Sequence, residues 1–202
     1  MNFKYTFSKQ TTLRINYRGR TIQPSMTDLY SKNDISDLLN IRLTNPNLKP
    51  SFNNNISATF NTYFTETLRS FNANFSYSNT INSTTRIVTY DENTGGRTTQ
   101  PTNVNGNWRI NGSFTFSTPL SNKKFTVNTY TNANYGNSVG FTVLNKESDA
   151  VKSNTTNLFL SERLKGNYRS DLIDFELSAE IRYQKSEHSI KKENRRETFD
   201  YT

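Results

Sequence analysis

The chain has 202 residues, a formal net charge of +8 and no cysteine. Only 32% of its residues are hydrophobic but 13% are aromatic, and the aromatic share argues against a disordered chain. No apolar run approaches the roughly 20 residues of a membrane-spanning helix. Lys and Arg are scattered instead of clustered on one segment, so the positive charge does not indicate nucleic-acid binding.

The first part of the chain predicts two strands and then a long loop. Apolar and polar residues alternate over residues 3–7 and 13–17, with a short turn at about Ser8–Thr11. Such a period of two indicates a strand whose faces meet different surroundings. The alternation stops from Gly19 to Ser51, where three prolines predict a loop. Residues 34–39 within this loop could form a helical turn.

The middle of the chain predicts two hairpins. Alternation over residues 52–64 and 71–77 gives a third and a fourth strand around a turn at Thr65–Arg69, and the fourth continues raggedly from Ile81 to Tyr90. Residues 91–97 predict the tip of a hairpin that extends beyond a membrane. The clearest pattern is the hairpin Gly106–Tyr135, with its turn at Pro119–Lys123. One face of it carries Trp108, Ile110, Gly112, Phe114 and Phe116, then Phe125, Val127, Thr129, Thr131, Ala133 and Tyr135.

The last part of the chain predicts two more full strands. Their apolar rows are Leu158, Leu160, Leu164, Gly166 and Tyr168, then Phe175, Leu177, Ala179, Ile181 and Tyr183, around a turn at Arg169–Ile173. Glu162 interrupts the first row. Either a bulge shifts the alternation there, or Glu162 has a partner on the next strand, because a charge facing lipid is costly. Thr198–Thr202 predicts the start of a ninth strand.

Strand length and connection length together predict the fold class. The clearest strands exceed ten residues, close to the 9–11 or so that cross a bilayer at a tilt, and the connections alternate short and long, as in transmembrane barrels. We therefore predict an all-β, antiparallel up-and-down transmembrane β-barrel, of which residues 1–202 form about eight to nine meandering strands. We expect such a barrel to lie in the outer membrane of a Gram-negative cell, in contact with its lipid and lipopolysaccharide. The long external loops are predicted at about 19–51, 84–103, 136–154 and 185–197.

Aromatic residues recur at both ends of the predicted strands, where membrane interfaces place them. The interface aromatics we predict are Phe64, Phe71, Tyr77, Trp108, Phe116, Phe125, Tyr135, Tyr168, Phe175 and Tyr183. Two alternatives stay open at this point. One is a soluble sandwich whose buried face is aromatic, although sandwich strands are shorter. The other is a self-contained eight-stranded barrel, which a chain beginning and ending within strands disfavours.

The long loop carries a motif that resembles a known family. Residues 20–30 read Arg-Thr-Ile-Gln-Pro-Ser-Met-Thr-Asp-Leu-Tyr, and residues 45–51 read Asn-Pro-Asn-Leu-Lys-Pro-Ser. Both resemble an element of TonB-dependent receptors, most closely the Bacteroidetes-type outer-membrane β-barrel proteins. The matching positions are Pro24, Leu29, Tyr30, Asn45, Pro46, Leu48, Lys49 and Pro50. Ser51 stands where the family usually has Glu, and Thr44 where Gly often precedes Asn-Pro.

The resemblance implies more than this chain contains. It implies a barrel of 22 strands around an N-terminal plug domain, energised by TonB through an N-terminal part, that imports a bulky nutrient of the siderophore, glycan or peptide class. The chain would then supply wall and capture loops and would contact the remainder of its own barrel and the plug. A non-transporting surface protein, an adhesin or structural barrel that binds ligands through its loops, is the alternative function.

The sequence contains no recognisable catalytic, metal-binding or cofactor-binding motif. We therefore predict a protein that is not an enzyme and needs no cofactor. His188 and Ser189 are adjacent, which is not a triad geometry, and Asp91-Glu92-Asn93 lacks the spacing of a calcium loop. The functional candidates are charges predicted to face the lumen, where they would contact a plug or an anionic solute. These are Arg14, Arg18, Arg109, Arg163, Lys165, Glu176, Glu180 and Arg182. The alternative is ion pairing across strands, such as Arg163 or Lys165 with Glu176 or Glu180.

Overall fold

The protein is described here from a computed structural model, in which residues 1–30, 36–37, 39–91, 94–120, 124–142, 150–190 and 195–202 are placed. In chain order the elements are β1 (Asn2–Ser8), β2 (Thr11–Ile22), α1 (Met26–Leu29), β3 (Asn40–Arg42), β4 (Ser51–Phe64), β5 (Arg69–Ile81), β6 (Ser83–Tyr90), β7 (Arg97–Val104), β8 (Asn107–Pro119), β9 (Phe125–Thr142), β10 (Val151–Arg169), β11 (Asp174–His188) and β12 (Arg196–Tyr201).

Nine of these strands form one antiparallel sheet in the order β1-β2-β4-β5-β8-β9-β10-β11-β12. Each strand pairs with the preceding and the following member of the series, so the predicted all-β meander is confirmed. The short turns predicted between β1 and β2, β4 and β5, and β10 and β11 lie where the sequence places them. The other three strands form a separate sheet, β3-β7-β6, in which β3 and β7 are parallel.

The register places the predicted apolar rows on one continuous face of the nine-stranded sheet. Phe60 pairs with Ala73, Ala73 with Phe114, and Phe114 with Thr131, and the same face continues through β10 to β12. Its side chains are exposed: Phe75 by 47%, Leu164 by 52% and Leu177 by 67%. No second layer covers this face among the described residues, so the soluble-sandwich alternative is wrong.

The buried apolar residues lie in a different place. Among the described residues, the hydrophobic side chains that are buried are Leu48, Val104 and Val139, at 7%, 5% and 6% exposure. Leu48 precedes β4, Val104 ends β7, and Val139 lies in the last part of β9, all at the end of the sheet where the long connections are. The small sheet and this end of the large sheet therefore share the protein's small core.

The predicted loop boundaries are wrong in detail, because the strands run further than the alternation does. Strand β2 continues to Ile22, β6 and β7 occupy most of the predicted loop 84–103, and β9 continues to Thr142. Likewise β10 begins at Val151, β11 ends at His188 and β12 begins at Arg196. Backbone pairing needs no apolar face, so strands that enter water on both sides lose the alternation but keep their hydrogen bonds.

Two further details of the long connections differ from the sequence prediction. The ragged strand to Tyr90 is interrupted at Asn82, whose φ of 51° ends β5 and lets β6 leave the large sheet; Asn tolerates this left-handed conformation better than most residues. Half of the helical turn predicted at residues 34–39 lies outside the described residues. The helix that is described is α1, capped by Ser25, whose side chain accepts a hydrogen bond from the Asp28 amide.

Candidate functional site

The eight charged candidates all lie on the polar face of the nine-stranded sheet, opposite the apolar rows. Arg14 pairs with Thr59, Arg109 with Ser78 and Gly136, and Arg163 with Tyr130 and Glu180. Their neighbours on this face are mostly Asn, Ser and Thr. The arrangement gives one wall of a polar compartment, and its assignment to a barrel lumen stays a prediction.

The charges on β10 and β11 are paired with one another. Glu180 accepts hydrogen bonds from Arg163 at 2.6 Å and from Arg182 at 2.8 Å, and Lys165 lies 2.8 Å from a carboxylate oxygen of Glu176. The expected cross-strand pairing is therefore confirmed for Arg163 with Glu180 and for Lys165 with Glu176, whereas Arg182 pairs with Glu180 within β11. They neutralise one another, which leaves them little net charge to offer a solute.

The cations on the first strands of the large sheet differ from those on β10 and β11, because they have no acidic partner among the described residues. Strands β1, β2, β4, β5, β8 and β9 contain no Asp or Glu at all. Arg14, Arg18 and Arg109 are in this group. The sequence analysis missed two members: Lys4 lies directly opposite Arg14, and Arg20 is two residues beyond Arg18 on the same face. Like charges facing each other across strands repel, so this half of the polar face favours an anion.

Among the cavities that lie against this polar face, two contain arginines of this group. One of about 740 Å³ is lined by Arg18, Arg20 and amide side chains of β4. The other, of about 500 Å³, is lined by Arg109, Phe159 and Gln184, with Gly136 on its floor. A Cβ at Gly136 would meet the Trp108 carbonyl oxygen at 3.0 Å, so glycine permits β8 and β9 to approach there. Phe159 was missed because it falls on the polar row of β10, where the alternation predicts no aromatic residue.

Glu162 has a partner, and the strand register does not shift around it. Pairing of β10 with both neighbours runs without a break from Leu158 to Tyr168, so the bulge alternative is wrong. The Glu162 carboxylate accepts a hydrogen bond from the Thr131 hydroxyl. Thr131 lies on β9, the preceding strand, and not on the next strand as expected.

The predicted interface aromatics lie at the two ends of the apolar face. Trp108 packs against Tyr135 with ring centroids 5.2 Å apart at the long-loop end, and Phe125 packs against Tyr168 at 4.5 Å beside the short turns. Phe64 and Phe175 are more than half exposed beside short turns. The two rows are separated by the length of the apolar face, and their assignment to two membrane interfaces stays a prediction.

Hydrogen bonds from the motif loop connect the small sheet to the rest of the protein. The Asn45 amide donates to the Asp28 carbonyl at 2.8 Å, and its side chain donates to the Pro101 carbonyl at 3.0 Å. The backbone of Lys49 exchanges two hydrogen bonds with the Asn103 side chain. Leu48, between Pro46 and Lys49, is buried. Pro24 precedes the capped helix, and Leu29 and the exposed Tyr30 end it. Asn45 therefore links α1 to β7, and Lys49 links the residues before β4 to β7.

A charged cluster extends beyond the apolar row of β11, which ends at Tyr183. The Lys185 ammonium lies 2.8 Å from Glu187 and lowers the pKa of that carboxyl. Hydrogen bonds from Tyr183 and from Arg195 lower the pKa of Glu197. Glu187, Arg195 and His188 line one cavity. The His188 ring is hydrogen-bonded to the Thr155 hydroxyl at 2.9 Å, so it serves the β10–β11 pairing.

The placed part of the chain contains no group of three or more His, Cys, Asp or Glu side chains that could hold a metal ion. The Asp91-Glu92-Asn93 segment falls partly outside the described residues. The interpretation that its spacing does not match a calcium-binding loop therefore rests on the sequence alone. None of the described helices is long and apolar enough to cross a membrane.

The family described as "Outer membrane protein beta-barrel family" matches residues 1–199. No curated protein matches the chain.

Proposed function

The chain belongs to the outer membrane protein β-barrel family, and from that premise we propose that it forms part of the wall of a solute-importing barrel of the TonB-dependent receptor type. Its location is the outer membrane, and its nine antiparallel strands are barrel strands. The proposed role is not enzymatic. The barrel would import a bulky nutrient of the siderophore, glycan or peptide class, with its short turns in the periplasm and its long connections outside.

The observation that carries the proposal is the division of one sheet into an exposed apolar face and a polar face with cationic residues that lack acidic partners among the described residues. An apolar face in contact with lipid explains why Leu177 and Phe75 are exposed. The opposite face, with Arg14, Arg18 and Arg109, then faces a wet interior, where uncompensated charge is tolerated and can select solutes.

An importer of large solutes needs a wide barrel. Barrel diameter grows with strand number, and only barrels much wider than eight strands leave room for a plug or a bulky solute. In the proposed arrangement the nine strands of the large sheet are one part of such a wall, and the remainder of the barrel supplies the rest.

Transport is tested by uptake in cells. In a strain lacking the gene, we expect loss of uptake of at least one labelled siderophore, oligosaccharide or peptide, restored by the intact gene. Uptake should stop when the inner-membrane proton gradient is collapsed, because a TonB-type importer draws its energy from there. Uptake that persists in the deletion strain for all three solute classes would contradict the proposal.

The alternative function is a non-transporting surface protein that binds ligands through its loops. The ordered three-stranded sheet at the long-loop end favours it, since a loop fastened by Asn45 and Asn103 presents a preformed surface. A deletion strain that keeps normal uptake but loses adherence to glycan-coated surfaces would select this alternative.

A further inference from the structure

We propose that one face of the small sheet, formed by Arg42, Arg86 and Arg97, is a binding site for a phosphate-bearing anion. The proposal stands whether or not the barrel transports a solute. The face belongs to β3, β7 and β6, and the sequence analysis placed most of it in loops.

Strand pairing puts the three arginines on the same face. Arg42 pairs with Thr99 in the parallel β3–β7 ladder. Arg97 precedes Thr99 by two residues, and Arg86 pairs with Pro101, two residues beyond Thr99. Paired residues and residues two apart share a face of a sheet. From strand spacing and rise, the three Cα atoms are about 8 to 14 Å apart.

The arginines surround a hollow. All three line a cavity of about 490 Å³, together with Thr99, Val88 and residues of α1. Pro101 is buried beneath it and Val88 half-buried, whereas the three arginines are exposed. Long cationic side chains around an apolar floor can converge above it on one anionic group.

The charge of the hollow is positive and not compensated within the described residues. None of Arg42, Arg86 and Arg97 makes an ion pair with a described acid. Asp28 is the one acid among the described residues that line the cavity, and its carboxylate accepts a hydrogen bond from the Ser25 hydroxyl at 2.7 Å. Three cations against one acid leave two positive charges, which a phosphate dianion matches.

The site is held in shape before any ligand arrives. Asn45 bridges α1 and β7 through the Asp28 and Pro101 carbonyls, and the Leu43 amide donates to the Thr99 carbonyl at 2.9 Å. Binding therefore loses less ordering entropy than binding by a free loop would. Guanidinium groups suit phosphate because their planar forks give two parallel hydrogen bonds to its oxygens.

The test is a titration of inorganic tripolyphosphate into the whole protein, folded in zwitterionic phosphatidylcholine nanodiscs, by isothermal calorimetry. We expect saturable binding that weakens as salt rises, because exposed charges are screened. The double variant Arg86→Gln/Arg97→Gln should weaken binding at least tenfold. The matched control Lys152→Gln/Arg196→Gln removes two exposed cations of the large sheet that belong to neither arginine group, and it should change affinity less than twofold.

The outcomes separate clearly. No tripolyphosphate binding by the unaltered protein, or an equal loss in both double variants, would overturn the proposal. If the Gln variant does not fold, judged by circular dichroism and by heat-modifiable gel migration, Arg86→Lys/Arg97→Lys keeps the charge and removes the forks. It should then bind with intermediate affinity, and unchanged affinity would count against a guanidinium site.

A second titration distinguishes a lipid phosphate from a soluble phosphate as the ligand. Nanodiscs that also contain lipopolysaccharide place lipid phosphates beside the site. If their presence weakens tripolyphosphate binding at least tenfold, and the Gln variant abolishes that effect, the lipid headgroup is the occupant. Unchanged tripolyphosphate affinity identifies a soluble phosphate instead.

Discussion

The two sheets of this protein treat their apolar side chains in opposite ways. In the nine-stranded sheet the apolar face is exposed, with Leu177 67% accessible. At the small sheet, Leu48, Val104 and Val139 are buried by other parts of the chain. In both regions the apolar side chains are kept from water. Lipid covers them on the large sheet, and other parts of the protein cover them at the small sheet. A low share of buried residues is therefore a property of the surroundings and not a sign of a poorly folded chain.

The largest expected effect comes from a charge on the lipid-facing row. Phe114→Arg should destabilise the folded barrel by about 3 kcal/mol, because a cation near the middle of the bilayer costs about 2–4 kcal/mol. Its neighbour Ser113 lies at the same depth on the polar face, between Asn74 and Asn132, so Ser113→Arg should cost less than 1 kcal/mol. Urea unfolding in lipid vesicles measures both, and equal losses would break the comparison.

The core at the small sheet should respond to truncation locally. Leu48→Ala should cost about 2–3 kcal/mol, as for a buried leucine that leaves a partial cavity. The expected readout is faster proteolysis between α1 and β7, with extraction from the outer membrane unchanged. Leu39→Ala is the control, since Leu39 is 55% exposed. A Leu48→Ala protein that fails to enter the membrane would show that the two regions fold as one unit.

Glu162 is the exception on the lipid-facing row, and a double-mutant cycle sharpens its role. Thr131→Val removes its hydrogen-bond donor and should cost about 1–2 kcal/mol. Glu162→Leu should stabilise the protein by about 1 kcal/mol, because a carboxylate no longer faces lipid. The Thr131→Val change should then be nearly neutral in the Glu162→Leu background. Additive effects in urea unfolding would mean that the two side chains do not interact.

The smallest expected effect is a local loss of stability at low pH, at the strand ends that lie beyond the lipid-facing rows. The carboxyls of Glu187 and Glu197 have pKa values lowered from their ordinary 4.5. Groups with a lowered folded-state pKa stabilise above that ordinary value and lose the contribution as pH falls through the lowered one. The protection factors of amides near Lys185, which compare the observed exchange rate with the intrinsic rate at each pH, should therefore fall below pH 4.5. The variant Glu187→Gln/Glu197→Gln should show no such step, and a step of equal size in it would assign the effect elsewhere.

Much of the large sheet follows from side-chain alternation. The rows of Phe, Leu and Tyr predicted the strands and which residues share a face, and the short turns followed from where alternation stopped. The small sheet could not be predicted in this way, since β6 and β7 carry polar residues on both faces. Its parallel β3–β7 pairing joins residues 57 positions apart, such as Arg42 and Thr99, and no local pattern reports such a contact.

The candidate site divides in the same way. Sequence alone identified the charges of the polar face and offered the cross-strand pairs of Arg163 and Lys165 with the glutamates. It did not reveal Lys4 opposite Arg14, Phe159 beside Arg109, or the arginine face of the small sheet. Each of these depends on register between strands, which decides which charges are neutralised and which are left without a described partner.

By itself, the order of residues determined that this chain makes long strands with one apolar and one polar face, because that pattern has a period of two and is local. Only the tertiary structure decided that Thr131 supports Glu162, that Asn45 ties α1 to β7, and that three arginines share a hollow. Those contacts join residues far apart in the chain, and they form only when the sheets are assembled in register.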